Sequence, residues 1–127
     1  MSGGFPKTIT IGSVTHPVTV PDYSTCHDIG INSQTGADRI SFVMAAVVNL
    51  CCGLVKVKDG YDGDSRNLWR YGRKVYNLIR PDYEDADIVR AGYELMIAAI
   101  QSRMPAQDEV DRRSVFSMAQ APQTTSR

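Results

Sequence analysis

The feature that most constrains this chain is its longest apolar stretch, residues 39–52, Arg-Ile-Ser-Phe-Val-Met-Ala-Ala-Val-Val-Asn-Leu-Cys-Cys. It must be buried, and its periodicity admits two structures. Ile40, Phe42, Met44, Ala46 and Val48 fit the two-residue repeat of a strand. Ile40, Val43, Met44, Val47 and Cys51 fit the repeat of a helix. The β-branched residues favour strand and the two adjacent alanines favour helix. A strand makes the chain a sheet protein with C-terminal helices; a helix makes it mostly helical.

The flanking segments are clearer. Residues 7–11 and 18–20 alternate polar and apolar side chains around turn material at 12–17, which predicts an N-terminal β-hairpin with Pro17 at an edge. Residues 21–37 read as loop with a short strand at most. In 54–58, Val55 and Val57 alternate with Lys56 and Lys58, and Asp59-Gly-Tyr-Asp-Gly-Asp64 is turn composition. Residues 73–80 also alternate: Arg73, Val75, Asn77 and Ile79 on one face, Lys74, Tyr76, Leu78 and Arg80 on the other, which predicts a strand.

Pro81 closes that segment. Asp82 is placed to cap a helix whose first turn holds Glu84, Asp85 and Asp87, carboxylates that complement the positive helix terminus. Ile88, Val89, Leu95, Met96, Ala99 and Ile100 form its apolar face, and Pro105 sets its end near Arg103. A shorter helix is expected over 106–116, and 117–127 is a polar tail. The expected class is α+β in one domain, 1–127: an N-terminal hairpin and antiparallel sheet followed by one long and one short C-terminal helix. One such helix covers a sheet face poorly in a chain of 127 residues, so an intertwined dimer is expected, with Ile88, Val89, Leu95, Met96 and Ile100 at its interface.

Composition excludes several roles. No apolar run approaches the eighteen or so residues of a membrane span, and Met1–Lys7 has no signal-like apolar core. The three cysteines, Cys26, Cys51 and Cys52, lack both disulfide-framework and zinc-site spacing, leaving an inter-subunit bridge at Cys51 or Cys52 open. Asp59, Asp62 and Asp64 lack the calcium-loop pattern, because the twelfth position from Asp59 is Arg70. Cys26-His27 are neighbours, a poor arrangement for a thiol–imidazole pair, and no phosphate-loop or nucleophile-elbow motif occurs. The expectation is a non-enzyme with no cofactor, metal or small-molecule substrate.

Charge is the remaining signal. The formal net charge is zero, yet residues 66–81 hold five basic residues and no acid. Asp82 to Arg90 then hold four acids and one base. Lys56, Lys58, Arg66, Arg70, Arg73 and Lys74, with Tyr76, Tyr71 and Trp69 among them, are the candidate RNA-binding face: cations for phosphates, rings for unpaired bases. The plain alternative is a solvated strand face whose lysines blunt an edge.

Taken in order, Lys-Thr-Ile-Thr-Ile-Gly with Pro-Val-Thr-Val-Pro as hairpin, Arg73–Pro81 as last strand, Asp82–Ser102 as long helix and a short polar C-terminus resemble the coat proteins of single-stranded RNA bacteriophages, the levivirus group. The resemblance covers layout over most of the chain. It implies a viral structural protein that forms intertwined dimers and an icosahedral shell around single-stranded RNA, with an operator hairpin bound on the sheet face. The implied location is the virion, and the host cytoplasm during assembly. The competing reading is a phage tail-assembly chaperone or similar small accessory protein, which binds a partner protein and accommodates 39–52 as a helix. A third is a small regulatory or inhibitor protein acting through a surface patch.

Overall fold

The structure, a computed structural model, describes residues 5–102. It is α+β, with one two-stranded antiparallel sheet and four helices. Strands β1 (Thr8–Ile11) and β2 (Val14–Pro17) pair with Ile11 opposite Val14 and Thr8 opposite Pro17. The loop between them is only Gly12-Ser13, and Gly12 has φ +65°, the left-handed conformation such tight hairpins demand at their first position. The expected hairpin is therefore present but tighter: its second strand lies at 14–17, ahead of the expected 18–20. Ile9 and Ile11 point into the core; the other face is exposed.

Helix α1 (Tyr23–Ile31) occupies the segment expected to be loop. The missed signal is Asp22, whose carboxylate accepts a hydrogen bond from the Thr25 amide at 2.8 Å and so satisfies a free N–H of the first turn. Helix α2 (Ile40–Cys52) decides the ambiguous stretch in favour of helix. Gly53 stops it in the left-handed conformation, φ 62°, with its amide bonded to the Asn49 carbonyl. Every residue from Val43 to Asn49 is buried, because α3 packs on one side of α2 and α4 on another. A helix covered all round has no polar face, which is why its sequence matched two periodicities equally well.

Two expected strands are absent. Residues 54–58 have no ladder partner; the backbone N–H and C=O of Val55 are instead bonded by the Asn49 side chain, at 2.9 and 3.1 Å. Residues 73–80 lie in helix α3 (Leu68–Ile79), entered through a single 3-10 turn at Ser65–Asn67 that Asp64 caps. The buried positions of α3 are Leu68, Gly72, Val75 and Ile79, a spacing of three and four. The alternation of eight residues was coincidence, and the decisive position was Gly72, which carries no apolar side chain to reveal it.

Helix α4 (Asp85–Ser102) has the expected length of eighteen residues. It begins later than the expected cap: Asp82 closes the turn after α3 by bonding the Ile79 carbonyl, and the Glu84 carbonyl accepts the first helical bonds. The helix expected over 106–116 and the polar tail lie outside the described residues.

One core joins Ile9 and Ile11 of β1, Cys26 and Ile29 of α1, the apolar side of α2, Leu68, and Ala91, Leu95, Met96 and Ala99 of α4. A smaller cluster, Ala45, Val75, Ile79 and Ile88, seals the junction of α2, α3 and α4. Two glycines set the spacing. A Cβ on Gly72 would lie 1.7 Å from the Phe42 carbonyl oxygen, and one on Gly92 would lie 2.6 Å from the Met44 Cβ. The α2 backbone thus touches both neighbouring helices where they lack side chains.

Candidate functional site: the cationic face of α3

Burying Leu68, Gly72, Val75 and Ile79 turns the opposite side of α3 to solvent. Arg70, Arg73, Lys74, Asn77, Leu78 and Arg80 are all exposed there. This changes the geometry of the basic stretch. In a strand Arg73 and Lys74 point to opposite faces, whereas on a helix they lie about 100° apart, and here both reach solvent. Asn77 and Leu78 join the face, and α-helical spacing from Arg70 and Arg73 is the signal that would have found them.

The structure divides the expected RNA-binding residues. Lys56 and Lys58 are exposed but sit in the loop after α2, off the helix. Arg66 is engaged by Asp64, with Nε and Nη2 both donating to its carboxylate at 3.1 Å. That pairing holds the Asp64 carboxyl below its usual range and the guanidinium above its own. Arg70, Arg73, Lys74 and Arg80 have no carboxylate within ion-pair distance among the described residues. Arg70 and Lys74 do share a shallow groove of about 210 Å³ with Asp59, Asp62, Asn67 and Tyr71.

The rings expected to stack bases are occupied within the chain. The Arg39 guanidinium lies 4.2 Å from the Trp69 ring centre, and Arg70 approaches the same ring at 5.4 Å. Tyr71 packs on Tyr61, and its hydroxyl oxygen accepts a 2.8 Å hydrogen bond from the Asn49 side-chain amide; burial pushes its hydroxyl pKa up. Tyr76 meets Phe42 edge-on at 5.5 Å, and the nearby Asp85 carboxylate pushes its hydroxyl pKa up. The cations remain available while the aromatic faces serve the fold.

The expected dimer residues are placed differently too. Ile88, Leu95 and Met96 are fully buried in the single chain's own core, and Val89 and Ile100 are half-buried against it. Helix α4 packs on α1, α2 and β1, so its apolar face is already covered within one chain. The large apolar side chains that α4 leaves in solvent are Tyr93 and Ile97, 57% and 43% exposed.

Other polar groups act as braces. Tyr61 donates to the buried Asp28 carboxylate, fastening the Asp-Gly loop to α1, and burial together with that bond pushes the phenol pKa well up. Asn32 donates to the Asp28 and Ser65 carbonyls. The Tyr83 hydroxyl and His16 Nε2 are 2.9 Å apart, linking hairpin to α3–α4 turn. Burial raises the Cys51 thiol to about 12 and Cys52 to about 11, so both are protonated at neutral pH and poor nucleophiles or metal ligands as they stand. Among the described residues no three His, Cys, Asp or Glu side chains gather as a metal site, all three cysteines are free thiols, and no helix is long and apolar enough to cross a membrane.

Comparison with protein-family models, with curated proteins and with solved structures returned no match.

Proposed function

We propose that this chain is a small protein-binding accessory protein, of the kind represented by phage tail-assembly chaperones, and that it docks an acidic protein surface on the cationic face of α3. One observation carries the reading: Arg70, Arg73 and Lys74 stand exposed on one rigid helix with Leu78 half-exposed beside them, while the neighbouring rings are held inside the chain. Cations with an apolar contact suit a protein surface of opposite charge, where complementarity sets orientation and speeds encounter. Sequence-tolerant RNA binding wants free aromatic faces as well. Residues 40–52, as a helix enclosed by two others, fit the helical layout of the accessory reading and not the broad sheet of a coat subunit.

The shell reading keeps one supporting observation, since the same cations suit phosphates. In that reading an intertwined dimer, an RNA-filled particle and a virion location all follow, but the dimer has to be built from helices.

Sizing chromatography with electron microscopy and the 260/280 nm absorbance ratio separates the two. The accessory reading expects a small discrete species free of nucleic acid. RNA-containing particles from the chain expressed alone would overturn it in favour of the shell.

A further inference from the structure

One flank of α4 is apolar yet faces solvent. At about 100° per residue, Val89, Ile100, Tyr93 and Ile97 fall within about 80° of the helix circumference. Arg90, Gln101 and Glu94, all exposed, take about 60° beyond them. Val89 and Ile100 are half-buried against the chain's own core, while Tyr93 and Ile97 are 57% and 43% exposed. The stripe from Val89 to Ile100 covers about 16 Å of helix axis.

Its size narrows what can cover it. Tyr93 and Ile97 together offer on the order of 200 Å² of apolar surface, about a quarter of the roughly 800 Å² that each side of a stable complex buries. A separate molecule, whether another protein or a second copy, gains too little there. A covalently attached segment does not need that area, because a short link holds it at millimolar effective concentration. The stripe stops at Ile100, two residues before α4 ends at Ser102. Twenty-five residues follow, 103–127, and lie outside the described residues. Pro105 is where the sequence expects the chain to leave the α4 direction.

We infer that residues 106–116 of this same chain cover the stripe, running back antiparallel to α4. The sequence expects a helix there, and eleven residues of helix are about 16 Å long, the length of the stripe. Residues 103–105 make a three-residue link, within the range of about two to five that joins antiparallel helices. So short a link fixes the register to within about a residue. Val110 comes level with Ile97, Arg113 with Glu94 and Phe116 with Tyr93. Val110, Arg113 and Phe116 recur every three residues and so share one side of the expected helix. Two apolar pairs then lose water on either side of one pair of opposite charges. Helices α3 and α4 pack on different sides of α2, so the cationic face stays open to the acidic partner, and the inference does not depend on that reading.

Acetylation of tyrosine hydroxyls in the full wild-type chain, read site by site by mass spectrometry, tests this. Tyr23 and Tyr93 are 69% and 57% exposed on the described surface, so if both are uncovered they react alike. A Tyr93 covered about nine-tenths of the time should react about tenfold more slowly than Tyr23. V110D with F116D should bring it back to within about twofold, with circular dichroism confirming that the helices are kept. A Tyr93 that matches Tyr23 in wild type, or that stays slow in V110D with F116D, overturns the inference. A second measurement locates the segment. Oxidation of I97C with V110C should give a disulfide within one chain, seen by non-reducing electrophoresis and peptide mapping. L78C with V110C, which moves the partner thiol to α3, should not bridge. Bridges between chains at I97C assign the face to a second copy, and equal bridging in the two variants shows a segment with no preferred seat; either result overturns the inference.

Discussion

Gly72→Ala tests the packing on which the cationic face depends. By helix propensity alone the change stabilises α3 by about 1 kcal/mol. The structure reverses that sign. The new methyl group would lie 1.7 Å from the Phe42 carbonyl oxygen, 2.6 Å from its carbon and 3.0 Å from the Ala46 Cβ. A carbon–oxygen contact needs about 3.3 Å, so α2 and α3 must part by about 1.6 Å. The obstacle is backbone inside a buried helix and cannot swing aside as a flexible side chain can. Parting the helices loosens Leu68, Val75 and Ile79 together, and a radial gap of even 0.5–1 Å forfeits about a quarter to a half of a contact's dispersion energy. Overpacking of this severity costs about 3 kcal/mol or more, leaving a net loss of about 2 kcal/mol or more after the propensity gain. For a domain this size that lowers the melting temperature by about 10 °C or more. Urea and thermal unfolding followed at 222 nm measure it. Gly92→Ala, whose methyl meets Met44 at 2.6–2.8 Å, should be destabilised less. Gly53→Ala has open space and pays only for the left-handed backbone, about 1–2 kcal/mol. If Gly72→Ala is as stable as wild type, the close approach of α2 and α3 is refuted, and with it the orientation of the cationic face.

Asn49→Ala removes both partners of the Val55 backbone and one of the Tyr71 hydroxyl, so a loss of about 2–4 kcal/mol is expected, against about 1 kcal/mol for Tyr71→Phe; equal losses in urea titrations would contradict the bracing role. The Thr25 backbone and side chain hold the Asp22 carboxyl below its ordinary value. A depressed folded-state value contributes stability above the unfolded pKa of about 3.9 and loses it as pH falls through the folded one. Asp22→Ala should therefore melt below wild type at pH 7, with the difference shrinking below about pH 3.9; a pH-independent difference would remove the capping explanation. Cys51, raised to about 12, should react with a thiol reagent at pH 8 far more slowly than in urea, and equal rates would show that it is not enclosed.

What could be read in advance follows from how much a local pattern determines. Thr8–Ile11 alternates, and a glycine at the turn sets its partner strand, so the hairpin was legible although its register was not. The span of α4 was legible because acids at its start and apolar residues at three- and four-residue spacing agree over eighteen positions. The cationic stretch was visible as composition. Its geometry was not, since eight residues from Arg73 to Arg80 satisfy both a strand and a helix. Arg39 over Trp69 joins residues thirty positions apart and left no local trace.

The amino-acid order by itself determined the hairpin, the long helix, the α+β class and the segregation of positive from negative charge. Tertiary structure decided that 40–52 and 68–79 are helices and which side of α3 meets solvent. The physical reason is contact between backbones. Gly72 and Gly92 let α3 and α4 close on α2 from two sides, which buries α2 on every face and removes the amphipathic pattern by which a helix is recognised. Glycine marks such an approach by the absence of a side chain, and that absence has no period to read.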